Sequence, residues 1–335
     1  PEVPANEKGM ATRAASGKVL DVLAERIPEV MGGSDELAPS NKTWIGKEIA
    51  FQAETPEGRN MHFGVREHAM GAIVNGMAAH GGLRPYGGTF LVFLDYMRGA
   101  VRLSALSEYP SIWVFTHDSI GVGEDGPTHQ PVEHLASLRV IPNLITLRPS
   151  DANETAQAWR VALEAETPVA LALTRQNTAI IDRSVYADAV ELTKGAYVLA
   201  DMGDEEPDLI LMASGSEVDL ILRAATNLAA EGINLRVVSF PSWELFERQD
   251  QAYRDQVLPP RIKHRLAVEA GVTQGWHRWV GDHGRVIGID HFGASAPGDT
   301  VMDQFGFTVA NVIDEALALL KSDALSQEDR NNGRK

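Results

Sequence analysis

The sequence predicts an α/β fold made of two α/β domains with mainly parallel sheets. Three observations carry that expectation. Segments with apolar residues at helical spacing alternate with short strand-like runs, the pattern of βαβ units. The run at 112–115 is wholly apolar, as a buried strand requires. A chain of 335 residues is long enough for two units with separate cores.

Taken in order, residues 11–27 place apolar side chains at helical spacing, 67–79 read as a helix of small residues, and 95–106 read as another. The strand 112–115 leads into a rich loop, 116–131. A strand at 144–147, a helix at 151–165 and a strand at 169–173 follow. Asp151 with Glu154 resembles a capping box and supports that helix start. In parallel sheets, ligands sit outside the carboxyl ends of the strands. His117 follows one such end and Arg175 another. The first domain is placed at 9–180. Residues 181–207 lose periodicity and gather Asp, Glu, Gly and Pro, which reads as a linker. The second domain, 208–323, opens with a strand at 209–213, and Ser216 is placed to cap the helix after it. Strands at 235–239, 266–269 and 286–289 and a last helix at 309–320 complete it. The polar stretch 324–335 is expected to be a disordered tail.

Composition narrows the function. The net charge of −16 argues against nucleic acid, whose phosphates need a basic face. Small phosphorylated substrates stay open, because a few placed cations serve them. With no cysteine there is no disulfide framework, thiolate nucleophile or cysteine-held metal. No apolar stretch approaches the roughly 20 residues of a membrane helix. The start, Pro1-Glu2-Val3-Pro4, lacks a signal-peptide pattern. A cytoplasmic protein without membrane contact is expected.

Three constellations carry chemistry. The loop from His117 to Pro131 packs histidines and carboxylates among glycines and prolines that set backbone geometry. It reads as a metal site, as a structural histidine cluster, or as a site that handles hydroxyls and shuttles protons near neutral pH. Its spacing fits no standard metal motif, and no metal ligand is assigned to this chain. In His62-Phe63-Gly64-Val65-Arg66-Glu67-His68-Ala69-Met70, Glu67 stands near a helix start before small and apolar residues. It is either a first-turn carboxylate favoured by the helix dipole or a desolvated functional group. Phe90, Phe93 and Tyr96 share a helical face if their region is helical, and form either core packing or a shelf for a ring. Arg13, Arg148 and Arg175, read singly, are surface or ion-pair residues. Together with His117 they could clamp a phosphate.

These residues resemble transketolase. The resemblance runs through Gly64-Val65-Arg66-Glu67-His68-Ala69-Met70, Tyr86-Gly87-Gly88-Thr89-Phe90, the His117–Pro131 loop and Arg175-Gln176-Asn177. It continues in Ser214-Gly215-Ser216-Glu217 and Phe292-Gly293-Ala294-Ser295-Ala296-Pro297, and so spans about 9–320. It implies a pyrimidine-binding domain for thiamine diphosphate followed by the transketolase C-terminal domain. Glu67 then resembles the glutamate that hydrogen-bonds the aminopyrimidine ring, and Phe90, Phe93 and Tyr96 the aromatic pocket around it. His129 is similar to the histidine facing the substrate hydroxyl at the reacting carbons, and with Glu67 it forms the catalytic pair. Asp125 resembles the carboxylate that reads the donor hydroxyl. Arg13, Ser40, His117 and Arg175 match the sugar-phosphate clamp, which leaves Arg148 out. The family's usual Gly-Gly-Ser-Ala-Asp-Leu reads Gly32-Gly33-Ser34-Asp35-Glu36-Leu37 here. Either Glu36 takes the aspartate's place near the cofactor or Asp35 substitutes.

The family's diphosphate site uses a Gly-Asp-Gly motif in an N-terminal domain, and this sequence contains no Gly-Asp-Gly. The resemblance therefore implies a C-terminal subunit or fragment. Its partner half would hold the diphosphate and a divalent metal, Mg or Ca, and the chain would meet itself in a dimer or heterotetramer. The activity implied is transfer of a two-carbon ketol unit between ketose and aldose phosphates. The alternatives are the β-subunit type of a 2-oxo-acid dehydrogenase, a deoxyxylulose-phosphate synthase relative, or a non-catalytic regulatory subunit.

Overall fold

The computed structural model describes residues 2–332. The first half holds eight strands: β1 (Asn6–Ala11), β2 (Val30–Ser34), β3 (Asn60–His62), β4 (Arg84–Phe90), β5 (Ile112–Thr116), β6 (Ile145–Leu147), β7 (Val169–Leu173) and β8 (Asn177–Ile180). Six of them form one parallel sheet in the order β3-β2-β4-β5-β7-β6. The strand period of two divides β5 between two cores. Ile112 and Val114 join the core under the helices Thr12–Arg26 and Ala152–Glu164. Trp113 and Phe115 join the core under Glu67–His80, Leu94–Leu106 and His134–Arg139. β1 and β8 pair antiparallel as a separate ribbon. This ribbon ties the start of helix Thr12–Arg26 to the end of β7, where Thr12 and Thr174 exchange backbone–hydroxyl bonds of 2.9 and 2.7 Å.

The second sheet contains β9 (Tyr197–Met202), β10 (Leu209–Ala213), β11 (Leu235–Ser239), β12 (Arg265–Val268) and β13 (Arg285–Ile287), in the order β13-β12-β10-β11-β9. All its pairs are parallel except the antiparallel edge pair β9–β11. The expected 181–207 linker is therefore structured in part. It holds a 3-10 turn, Ala189–Lys194, and the edge strand β9, whose Tyr197 and Leu199 are buried. Its apolar run, Tyr197-Val198-Leu199-Ala200, is short and is followed at once by the Asp, Glu, Gly and Pro that read as a linker.

Several local expectations are corrected. Asp151 caps helix Ala152–Glu164 by accepting from Glu154 N at 2.8 Å, while the Glu154 carboxylate bonds Ser150 N at 2.7 Å rather than the cap residue's own amide. Ser216 occupies the N-cap position of Glu217–Ala230 without capping it; its hydroxyl donates instead to Glu217 Oε1 at 2.6 Å. The last helix runs Val309–Asn332 and continues through most of the expected disordered tail. No glycine or proline interrupts it before Gly333. The remainder of that tail, 333–335, lies outside the described residues.

A buried ionic hub joins the two sheets. Arg148, read from sequence as a surface or ion-pair residue, is fully buried just after β6. Its Nε donates to Asp118 Oδ2 at 2.8 Å, and its Nη1 donates to Ser214 O at 2.8 Å and to Glu217 Oε2. Glu217 Oε2 also accepts from Ala270 N at 3.0 Å. Beside it, Arg139 holds Glu269 through two bonds of 2.6 and 2.7 Å, and its guanidinium lies 4.0 Å from the Trp243 ring centre. Burial would raise the Glu269 pKa, but Arg139 and Arg148 outweigh it and hold it at about 2.

Candidate active site

The chemistry-bearing side chains converge on one rim, at the carboxyl ends of the first sheet's strands. Glu67 follows β3, Asp35 and Glu36 follow β2, Phe90 ends β4, His117 follows β5 and Arg175 follows β7. Arg13, in the first turn of Thr12–Arg26, joins them because the β1–β8 ribbon anchors that helix start beside Thr174.

Phe90, Phe93 and Tyr96 form a ladder, though not on one helix. Phe90 ends a strand, Phe93 lies in the 3-10 turn Leu91–Phe93, and Tyr96 stands in the first turn of Leu94–Leu106. Phe90 and Phe93 stack at 5.7 Å with 12° between planes, and Phe93 meets Tyr96 at 5.9 Å. Phe90 is buried, Phe93 half-buried and Tyr96 67% exposed, so the ladder runs from the core out to solvent.

The loop after β5 folds over this ladder. His117 has a φ of +60°, a left-handed conformation costly for a residue with a Cβ. The contacts that hold it include the Phe90 ring, 3.7 Å away between centroids, and a polar chain. The Thr116 hydroxyl donates to Asn41 Oδ1 at 2.6 Å, which leaves its oxygen to accept from His117 Nδ1 at 2.8 Å. Asn41 Nδ2 donates to Ser34 Oγ, and Ser34 donates to the buried Asp35 carboxylate, each at 2.8 Å. The chain assigns the Nδ1–H tautomer to His117 and leaves Nε2 as the free acceptor. His117 is 3% exposed, and its pKa falls to about 3, first through burial and then through Arg13, Arg175 and His129. It is therefore a neutral imidazole at neutral pH. Farther along, His129 sits edge-on to Phe90 and Phe93 at 6.2 and 5.7 Å, with Nδ1 2.9 Å from Thr128 Oγ1. Asp125 is exposed at the loop tip.

Arg13 and Arg175 form a cationic pair. Neither ion-pairs with a carboxylate among the described residues. The Arg13 pKa is lowered by burial and by the charge on Arg175. Arg13 Nη1 donates to Ser40 O at 2.6 Å, which brings Ser40 to the same place. Two close guanidiniums without counter-charge are arranged to take an anion.

The depressed His117 pKa has a measurable consequence. The unfolded imidazole, with a pKa near 6.5, binds protons that the folded one refuses down to about pH 3. This group's contribution is fully present above about pH 6.5 and is lost as pH falls below it. His117→Asn, which tolerates the left-handed backbone, is expected to lose about 1–2 kcal/mol less stability than the wild type between pH 7 and 5. Denaturant unfolding at the two pH values checks this; parallel losses would show that the imidazole is not held neutral.

Glu67 begins helix Glu67–His80 and is half-buried. Its carboxylate forms no hydrogen bond or ion pair among the described residues. Its helix is buried only in part: Met70, Gly71 and Val74 are buried, whereas Ala72 and Ile73 are exposed. Glu36 and Asp35 separate cleanly. Asp35 is buried and accepts from Ser34, from Thr89 Oγ1 at 2.6 Å and from Leu37 N at 3.2 Å, so it cannot substitute at an open site. Glu36 is exposed, and its pKa rises first through partial desolvation and then through the charges of Asp35 and Glu67. Glu36 and Glu67 therefore lie within electrostatic reach at the rim. The residues that sequence reasoning missed are Ser34, Asn41 and Thr116, whose roles appear only when β2, the short helix Ala38–Asn41 and β5 are side by side.

Asp95, Glu133 and His134 form the one group of histidine and carboxylates within metal-ligating reach among the described residues. The His134 Nε2 lies 3.2 Å from Asp95 and its Nδ1 3.8 Å from Glu133.

Comparison with known proteins matches residues 8–180 to the family described as "Transketolase, pyrimidine binding domain" and 195–308 to "Transketolase-like TK C-terminal domain". A transketolase of Geobacillus stearothermophilus is 54% identical over 93% of this chain and 47% of its own length. One of Bacillus subtilis is 53% identical over 95% of this chain and 48% of its own. The chain thus spans about half the length of the curated relatives it matches. Among solved structures, transketolase from Leishmania mexicana superposes with a TM-score of 0.90 at 46% identity, covering 96% of this chain and 47% of that one. A structure described as a split gene transketolase, inactive beta4 tetramer, superposes with a TM-score of 0.75 at 25% identity, covering 93% of this chain and 99% of that one.

Proposed function

The chain belongs to the transketolase family, and from that premise we propose that it is the half of a transketolase that holds the pyrimidine ring of thiamine diphosphate and reads the sugar. It acts with a partner half that binds the diphosphate and a divalent metal, Mg or Ca. The observation that carries this reading is the rim itself. An unpartnered carboxylate at Glu67, an open aromatic ladder, a histidine loop and an unpaired arginine couple lie at the carboxyl ends of one sheet.

The residues fit the cofactor's ring. Phe90, Phe93 and Tyr96 offer a stacked face of suitable size for a planar heterocycle, and Glu67 has no internal partner to give up. When bound, thiamine diphosphate supplies a nucleophilic carbon and an electron sink for the two-carbon unit. Glu67 shares a proton with the aminopyrimidine ring. His129, oriented by the two phenylalanine edges, faces the substrate hydroxyl at the reacting carbons and moves its proton. Asp125 accepts from the donor hydroxyl, so a donor of the wrong configuration loses that hydrogen bond. Arg13, Arg175 and Ser40 receive the sugar phosphate, with His117 beside them. A phosphate dianion there raises the His117 pKa, against the downward push of burial and the two arginines.

The partner has a surface to meet. Ala69, Ala72, Ile73 and Gly76 on helix Glu67–His80 and Tyr96, Leu103 and Leu106 on helix Leu94–Leu106 are exposed side by side. This apolar face supports assembly into a dimer or heterotetramer in the cytoplasm, and no helix among the described residues is long and apolar enough to cross a membrane. The similar split-gene chain forms an inactive tetramer, which suits a half that is inert without its partner.

The test is reconstitution. Alone, the chain is expected to show no saturable thiamine diphosphate binding by calorimetry and no transfer. With a diphosphate-binding half, it is expected to transfer two carbons from hydroxypyruvate to ribose 5-phosphate and to reject pyruvate. Full activity of the chain alone would overturn the half-enzyme reading. Preference for pyruvate would instead assign it to the 2-oxo-acid dehydrogenase or deoxyxylulose-phosphate synthase type.

A further inference from the structure

The loop that carries Asp125 and His129 belongs by sequence to the first sheet, but it is built into the second. Its two ends, Ile120 and Val132, are buried in the core that includes Leu211, Ala213, Val237 and Val268 of the second sheet. Val272 N donates to Val132 O at 3.0 Å. Between those ends the loop rests on the segment 293–298, which follows β13. Gln130 is buried, and its Nε2 ties the loop's Gly123 O, at 2.8 Å, to Ala294 O, at 2.9 Å. Ser295 Oγ donates to Glu124 O at 2.7 Å, one residue before Asp125. The fit leaves no room for side chains. A Cβ on Gly293 would lie 1.7 Å from Gln130 Oε1, and one on Gly298 would lie 2.8 Å from Gly121 O. At the tip Glu124, Asp125, Pro127 and Thr128 are exposed, and the half-buried His129 makes the edge-on contacts with Phe90 and Phe93.

We infer that the segment 293–298 of the C-terminal unit is a positioning element for donor recognition, acting through Gln130 and Ser295 to set the backbone that carries Asp125, while the Phe90 and Phe93 edges hold His129. The inference rests on the proposed function, and it gives the second sheet a part in selectivity without contact with substrate. Neither positioning residue handles a proton. Each fixes a backbone carbonyl of the loop, so its loss misplaces the Asp125 carboxylate while leaving the ring slot and the phosphate clamp intact. A misplacement of this kind weakens recognition of a donor that carries the hydroxyl Asp125 reads, and spares one that lacks it.

The test uses Ser295→Ala, with Ser295→Thr as the variant that keeps the hydroxyl. In the chain alone, amides 124–130 of Ser295→Ala are expected to exchange hydrogen about tenfold faster than in the wild type, with β10 unchanged. In the reconstituted complex, kcat/KM for xylulose 5-phosphate is expected to fall about tenfold, and for hydroxypyruvate less than about twofold. Ser295→Thr is expected to restore both the exchange and the ratio. An active wild-type complex whose Ser295→Ala variant keeps the donor ratio, or a loop that exchanges no faster, would overturn the inference alone. A wild-type complex without transfer activity would overturn the proposed function beneath it, while the exchange experiment would still report whether the segment holds the loop.

Discussion

Glu67→Ala in the reconstituted complex is expected to lower kcat by about 10²–10⁴, the range for loss of a positioned proton-transfer group. Glu67→Gln is expected to fall nearly as far, because an amide keeps the shape but cannot exchange the proton. The structure allows this test to be clean. Glu67 forms no hydrogen bond or ion pair among the described residues, so its removal orphans no partner. What is lost structurally is the favourable placement of a carboxylate in the first turn of Glu67–His80, worth about 0.3–1 kcal/mol. Assembly measured by size-exclusion chromatography should therefore match the wild type while turnover collapses. Unchanged turnover would make the chain a non-catalytic scaffold subunit.

The second large effect is on stability. Arg148→Met is expected to cost about 3–5 kcal/mol, because it leaves buried carboxylates without their cation. Asp118 and Glu217 are both buried and both lean on this guanidinium, and Ser214 spends its carbonyl on it. The nearby Arg139 is committed to Glu269. Adding Glu217→Gln to Arg148→Met should recover part of the loss by removing one orphaned charge. Urea unfolding of both variants measures this. A loss below about 1 kcal/mol for Arg148→Met would mean that the ion pairs only offset their own desolvation, and that the hydrophobic contacts alone join the sheets. Asp118 follows His117 directly, so the destabilised variant should also loosen the left-handed turn that carries that imidazole.

The parallel architecture was legible because its strands are short apolar runs between amphipathic helices, and β5, β7 and β10 stand where the pattern put them. The aromatic trio was legible as a cluster, but its helical explanation was wrong. A strand end, a 3-10 turn and a helix start bring the three rings together, a path no single periodicity describes. Arg148 was illegible for a different reason. Its partners Asp118, Ser214 and Glu217 lie 30 to 69 residues away, and a lone arginine near a strand end has the local signature of a surface residue. The same holds for Asn41, which links Ser34 to Thr116 only because β2 and β5 flank β4. Edge strand β9 escaped notice because its short apolar run sits among the Asp, Glu, Gly and Pro that read as a linker.

The uncovered hydrocarbon on helices Glu67–His80 and Leu94–Leu106 has a consequence for handling the polypeptide by itself. Sixteen surplus negative charges make copies repel one another at long range, and that repulsion is what keeps such patches from sticking. Its reach shrinks to about 8 Å at physiological ionic strength and to about 3 Å in molar salt. A lone copy is thus a colloid held apart by its charge, and in the proposed assembly, with the greasy patch covered, a mated copy would no longer need that protection.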